Sequence, residues 1–279
     1  MATDRNNLRK FLRVIRRENF DPFRIDIELA RNTLLLARWE KNTEEYITEF
    51  RGFGHEFEKA FTTPTTLRRG KKSTGHHRII RYELGGLHML LRFETDAHYG
   101  HLAGTPNPSS DDIDDLTSAI KSVSLKSSKE PGEETSGKTD SPLRVTLDGH
   151  DVVQDSLIEI KTRVKHRRIV MDEIAPQLFF AQVPHLIVAY HLRGTFQTVE
   201  KHEVANNGVL EKFERDNVNE LKKVVALLES IRKEVRKIKG RRAVLICEGG
   251  TFALYERSNL DWHVLPADLL AKWDTASLS

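Results

Sequence analysis

At 279 residues, with 38% hydrophobic and 30% charged side chains, the chain can bury a sizeable core under a polar surface. Its single cysteine, Cys247, excludes an internal disulfide, cannot by itself make a thiolate zinc site, and fits a reducing compartment. The formal net charge of +3 is unevenly spread: residues 104–142 hold eight acids against four lysines, a net −4, which leaves +7 elsewhere and suits a polyanionic ligand.

No apolar run nears the ~20 residues of a membrane helix, and no membrane partner is expected. The first residues do not resemble a secretory signal. Residues 5–17 predict a basic amphipathic helix: Leu8, Phe11, Leu12 and Ile15 recur at helical spacing among Arg5, Arg9, Lys10, Arg13, Arg16 and Arg17. A helix packed on the domain with a solvated basic face accounts for this pattern. RNA contact and organelle targeting are the alternatives, the latter weakened by Asp4 and Glu18.

Two helical stretches follow, at 43–50 and 54–61, and then strands at 77–84 and 88–97 about a Gly85–Gly86 turn. Residues 105–142 are rich in Ser, Thr, Pro, Gly and charge, so they read as a disordered insert that cannot offset its ordering entropy. Strands are predicted at 144–148 and 156–163, a helix at 170–182 ended by Pro184, and an apolar strand at 185–191 continued by 195–199. One long helix over 209–238 precedes two strands, 243–247 and 251–256, about Gly249–Gly250. The class is α+β, a central mixed sheet flanked by helices, and the expected organisation is one domain over 1–279 interrupted by the insert.

The chemistry sits in two short segments. In 157–162, L-I-E-I-K-T, strand periodicity puts Glu159 and Lys161 on one face. A carboxylate there can hold a divalent cation, and an ammonium beside it can position water or stabilise charge at a phosphate. For that pair alone, an exposed ion pair on an edge strand is the better explanation. The second segment, L-L-R-F-E-T-D-A, carries Glu94 and Asp96 at i and i+2 after the apolar Leu87, Met89, Leu90, Leu91 and Phe93. Carboxylates entering a core are costly unless paired or metal-bound. Three acids and a lysine on two strands resemble the PD-(D/E)XK nuclease arrangement. That resemblance implies Mg²⁺ or Mn²⁺ on Asp96, Glu159, the Ile160 main-chain carbonyl and waters.

Two further segments narrow the resemblance: G-F-G-H-E-F-E-K-A-F-T at 52–62 and A-P-Q-L-F-F-A-Q-V-P-H-L-I-V-A-Y at 175–190. Their order resembles the DXO (Dom3Z-like) family of RNA decapping exonucleases over about residues 50–256. Gly54–Glu58 looks like the family's first acidic motif, with His55 at a normally hydrophobic position. Glu94–Asp96 and Glu159–Lys161 look like the second and third, and Gln177 like its active-site glutamine; Gln182 is read as a packing or surface residue. The resemblance implies metal-site acids at Glu58, Asp96 and Glu159, with Glu94 reaching the metals directly or through water. It implies two ions, and Lys161 and Gln177 orienting the attacking water and the scissile phosphate.

The implied activity is hydrolysis at RNA 5′ ends, on caps, triphosphates or noncanonical caps, with 5′→3′ exoribonuclease activity and a nuclear or cytosolic location. Two other readings stand beside it: a largely non-catalytic partner that stabilises or stimulates a larger 5′→3′ exoribonuclease, and a DNA nuclease of the wider superfamily. The chain departs from the family pattern in three places. The family's upstream arginine has no clear counterpart, Arg24, Arg31 and Arg38 being candidates. Ile174 and Ala175 replace an aromatic pair, and His191 stands where an arginine is expected. Other features default to structure: His76, His77 and His88 lack zinc-site spacing, Trp39, Trp262 and Trp273 have no motif context, and the basic run 233–242 suits either a helix C-terminus or RNA phosphates.

Overall fold

The computed structural model describes residues 1–18, 21–42, 52–64, 75–100, 151–259 and 261–275. The helix expected at 43–50, the insert at 105–142 and the strand at 144–148 lie outside these residues.

Eleven strands among the described residues form two mixed sheets. In chain order the elements are β1 (Ala2–Asp4), α1 (Arg5–Ile15), β2 (Phe23–Ala30), β3 (Thr33–Arg38), α2 (Gly54–Phe61), β4 (His77–Leu84), β5 (Leu87–Glu94) and β6 (Ala97–His98). Then come β7 (Leu157–Val164), α3 (Met171–Ala181), β8 (His185–Leu192), β9 (Thr195–Glu203), α4 (Val209–Asp216), α5 (Val218–Lys237), β10 (Arg242–Glu248), β11 (Thr251–Glu256) and α6 (Ala267–Thr275). The larger sheet runs β11-β10-β2-β3-β1-β5-β4 and the smaller β6-β7-β8-β9. β1 is parallel to β3 and β5, and β7 is parallel to β8; the other pairs are antiparallel. The mixed-sheet architecture with flanking helices is the one the sequence predicts.

Several elements differ from expectation, among them α6, for which no helix was predicted, and three bear on the packing around the site. The β2–β3 hairpin was not anticipated, although Phe23, Ile25, Ile27 and Leu29 alternate strictly. Its second face is no less buried, because Asp26 and Glu28 are closed over by charge partners. Arg24 and Arg257 reach Asp26 at 2.8 and 3.1 Å, and His263 and the Val264 amide reach Glu28 at 2.6 and 2.8 Å. The three-residue β1 is too short for any periodic signal, yet it bridges β3 and β5. The 209–238 helix is two helices, broken at Asn217, whose side-chain amide donates to the Phe213 carbonyl at 2.7 Å and competes with the helical ladder.

The core is one large cluster between the larger sheet and α1, α3, α4 and α5, with a smaller cluster under α2. Asp4 caps α1 by accepting from the Asn6 amide at 2.8 Å. Leu8, Phe11 and Leu12 then lie wholly inside, with Phe11 between Phe23 at 6.4 Å and Phe252 at 5.8 Å. This trio fastens α1 to β2 and β11. Phe11→Ala is expected to cost about 3–5 kcal/mol, measurable as a lower denaturant midpoint with an unchanged slope.

Candidate active site

β7 presents two different faces. Ile158 and Ile160 point into the small cluster with Phe57 of α2 and Ala189 of β8. Glu159, only 2% exposed, points the opposite way, toward α1 and α3. Lys161, two residues on, donates from Nζ to Glu159 Oε1, so the same-face prediction holds. From α3, the Gln177 amide donates to the same oxygen. From α1, Arg5 Nη1 reaches Oε2 at 2.9 Å, its guanidinium 5.5 Å from the centre of the Phe93 ring. Burial alone would raise the Glu159 pKa; the charges of Lys161 and Arg5 and their hydrogen bonds outweigh it and hold the group below its ordinary value.

Asp96 arrives by a different route from the one its spacing suggested. β5 ends at Glu94, and the chain crosses from the larger sheet to the smaller through Thr95 and Asp96, where Ala97 pairs with Ile158. Asp96 therefore belongs to no strand and does not share a strand face with Glu94. Its Oδ2 accepts from the Ile160 amide at 2.7 Å, which fixes it against β7. Burial, then the negative charges of Glu159 and Glu58, push its pKa up to about 7, against the opposing effects of Lys161 and the Ile160 amide. Glu58 acts from α2, on the Ile158/Ile160 side of β7. Glu94 is exposed at the end of β5 and joins none of these contacts.

Asp96, Glu159, Lys161 and Gln177 thus meet around β7, Glu58 stands near them, and Glu94 is apart. The upstream arginine that reaches this cluster is Arg5, taken from sequence only as part of a basic helix. Arg24 is bound to Asp26, Arg31 lies in the β2–β3 turn, and Arg38 pairs with Glu40. Nothing local distinguished Arg5 from its five basic neighbours; its position one residue after the Asp4 cap only matters once β1 is threaded between β3 and β5. His191 is buried between Phe53 at 4.7 Å and Phe196 at 5.5 Å, accepting from the Gly194 amide at 3.3 Å, so it supports the start of α2. Gln182 caps α3 in a left-handed conformation, and Ile174 and Ala175 pack in the main core.

The donor set is of the kind a hard divalent cation takes, all oxygen, and crowding of carboxylates around Asp96 is a strain such a cation relieves. As the side chains stand, no three His, Cys, Asp or Glu among the described residues make a ligand set. Both Glu159 oxygens are held by Lys161, Gln177 and Arg5, so a cation would enter by displacing one of these donors.

Comparison with solved structures places the fold in the class of the Rai1 and Dxo1 proteins, that of the DXO family whose motifs the sequence resembles. Scheffersomyces stipitis Rai1, crystallised with (3'-NADP)+ and a calcium ion, matches 99% of this chain and 74% of its own, at 15% identity and a TM-score of 0.61. Candida albicans Rai1 with pU5-Mn2+ matches 99% and 74%, at 13% and 0.55. K. lactis Dxo1 with manganese matches 95% and 66%, at 9% and 0.51. By sequence the chain belongs to the family described as "Domain of unknown function (DUF8563)", whose model matches residues 1–269. No curated protein sequence matches it.

The raised pKa of Asp96 has a signed consequence. Between the ordinary carboxylate range and about pH 7, the folded protein holds a proton there that the unfolded chain has lost, so metal-free stability falls as pH rises across that window. Glu159, held low, has the opposite sign: its stabilisation is present above the ordinary range and lost as pH falls through its folded value. Asp96→Asn keeps an acceptor for the Ile160 amide and removes the first effect. In EDTA its thermal midpoint should exceed the parent's at pH 8 and converge with it at pH 5.

Proposed function

We propose that this chain is a divalent-metal-dependent hydrolase of RNA 5′ ends, removing caps, triphosphates or noncanonical caps, with 5′→3′ exoribonuclease activity alongside. The observation that carries this reading is the buried Glu159 paired with the half-buried Lys161 on β7, with Asp96 held against the same strand by the Ile160 amide. It is supported by the fold shared with a Rai1 that holds pU5-Mn2+ and a Dxo1 that holds manganese.

In this reading Asp96, Glu159 and the Ile160 carbonyl hold Mg²⁺ or Mn²⁺, as a pair of ions, with Glu58 alongside. Bound there, the ions supply Lewis-acid polarisation of the phosphate and a water of lowered pKa. The protein's own groups do the rest. Lys161, whose ammonium stands at Glu159 Oε1, would stabilise negative charge growing on a phosphate oxygen seated beside that carboxylate. The Gln177 amide, bound to the same carboxylate oxygen, is placed to orient water or phosphate. Arg5 holds the outer Glu159 oxygen and keeps the carboxylate aimed.

A second reading has an observation of its own. The ring of donors already closed around Glu159 favours a largely non-catalytic member that stabilises or stimulates a separate 5′→3′ exoribonuclease. Incubation of the protein with 5′-triphosphate, m7G-capped, NAD-capped and 5′-monophosphate RNA, in Mg²⁺, Mn²⁺ or EDTA, separates the two. Metal-dependent release of the 5′ group is expected, reduced about 100-fold or more in Asp96→Ala/Glu159→Ala. A double variant as active as the parent, or activity that persists in EDTA, overturns the assignment. Binding without cleavage moves the role to the stimulatory reading, and matched DNA strands cleaved in preference to RNA move it to a DNA nuclease.

A further inference from the structure

α1 carries more basic charge than the acid cluster uses. Arg5, Arg9, Arg13 and Arg16 fall on one helical face, alongside the buried Leu8, Phe11 and Leu12, and span ~16 Å along the axis. The two ends of the row are engaged. Arg5 binds Glu159, and Arg16 binds Glu18 at 3.2 Å and Asn217. The two in the middle are not: among the described residues neither Arg9 nor Arg13 has a hydrogen bond or an ion pair. Arg13 lies in the last turn of α1, where the helix dipole favours a cation, but Arg9 is mid-helix and half-buried with no such support. Burial, and then the charges of Arg13 and Arg5, push the Arg9 pKa down to about 10, with only Glu159 acting in the other direction.

Beside this row lies a cavity of about 100 Å³ between α1 and the start of α3, lined on the α1 side by Arg9, Leu12, Arg13, Arg16 and the Arg16-bound Glu18, and on the α3 side by Pro176 and two acids, Asp172 and Glu173. Neither acid pairs with the arginines across it. Of its lining, Glu173 stands one turn before Gln177 on α3 and Arg9 one turn after Arg5 on α1, next to the two residues that bind Glu159.

We propose that the arginine face of α1 is a backbone track for single-stranded RNA, with Arg9 and Arg13 holding the phosphates that follow the 5′ end seated at Glu159 and Asp96. This rests on the reading of the site given above and adds to it the direction in which the RNA body leaves. A half-buried guanidinium among like charges gains from a phosphate what it lacks within the chain, and a row of arginines one helical turn apart offers successive phosphates successive partners. Contacts of this kind are indifferent to base identity, so the track would act on length and not on sequence.

The test is anisotropy of 5′-monophosphate oligouridylates of two and ten nucleotides, titrated with the full chain in EDTA at several salt concentrations. The parent should bind the decamer at least tenfold more tightly than the dimer. Arg9→Gln/Arg13→Gln should lose about tenfold in decamer affinity at low salt, and its log–log salt slope should fall by about 1.4, roughly 0.7 for each phosphate contact removed. Its dimer affinity should change less than threefold. Arg9→Lys/Arg13→Lys should keep most of the slope, and Lys222→Gln/Lys223→Gln, on the exposed face of α5, should keep both affinities. If the first pair does not fold by circular dichroism, Arg13→Gln alone, at an exposed position, should still lower the slope by about 0.7.

Equal parent affinity for both lengths, an unchanged slope in the arginine variants, or an equal loss in the lysine control overturns the track. Cleavage in Mn²⁺ without length-dependent binding overturns the track and leaves the hydrolase. Length-dependent binding that needs Arg9 and Arg13, with no cleavage in any metal, upholds the track and overturns the hydrolase.

Discussion

A carboxylate as buried as Glu159 must have its charge matched where it sits, since an isolated ion in a protein interior costs several kcal/mol. The match comes from three directions: Lys161 from the same strand, Arg5 from α1 and Gln177 from α3. Each donor places a demand on the fold. Arg5 can reach only if β1 delivers α1 across the larger sheet, and β1 is held there by its parallel pairing to β3 and β5. Gln177 can reach only if α3 packs its buried face down to β7. One side chain thereby ties the first residues of the chain to its middle.

The second constraint is the crossing between sheets. A residue inside a strand has its direction set by the pleat, whereas a residue in the short passage from β5 to β6 is free to turn. Asp96 uses that freedom to take the Ile160 amide, one residue along β7 from Glu159. The consequence is electrostatic crowding: Glu159 and Glu58 press on Asp96 and raise its pKa, while the positive partners of Glu159 pull that group the other way. Two neighbouring carboxylates with opposed shifts are the feature of this fold on which the proposed metal chemistry rests.

The apolar side of β7 matters as much as the ionic side. Phe57 packs on Ile158 and Ile160, and Phe53 leans against His191 and Gly194 at the β8–β9 turn. A Cβ added at Gly194 would stand 2.7 Å from the Phe53 ring, and the backbone φ there is +91°, so only glycine lets the turn and the start of α2 approach this closely. Glu58 owes its place near Asp96 to that contact. Arg5 of α1 closes on the other face, so acidic, aromatic and basic groups converge within one short stretch of β7.

The sequence pattern by itself determined α1 and the β4–β5 and β10–β11 hairpins, whose burial is one-sided, and also β7, α3 and β8, whose short apolar runs are buried on both faces. It also determined that Glu159 and Lys161 share a face, because the strand repeat of two leaves no other arrangement. It did not disclose β1, whose three residues are fewer than any period, nor the break at Asn217, where one side chain competes with an otherwise continuous helical stripe. Only the tertiary structure decided which of many arginines meets Glu159, that Asp96 leaves the strand while Glu94 stays outside, and that Glu58 approaches from the far face of β7. Those are contacts between residues up to 154 apart in the chain. Local spacing sets the direction of a side chain along its own element, but what stands opposite is settled by how sheets and helices pack.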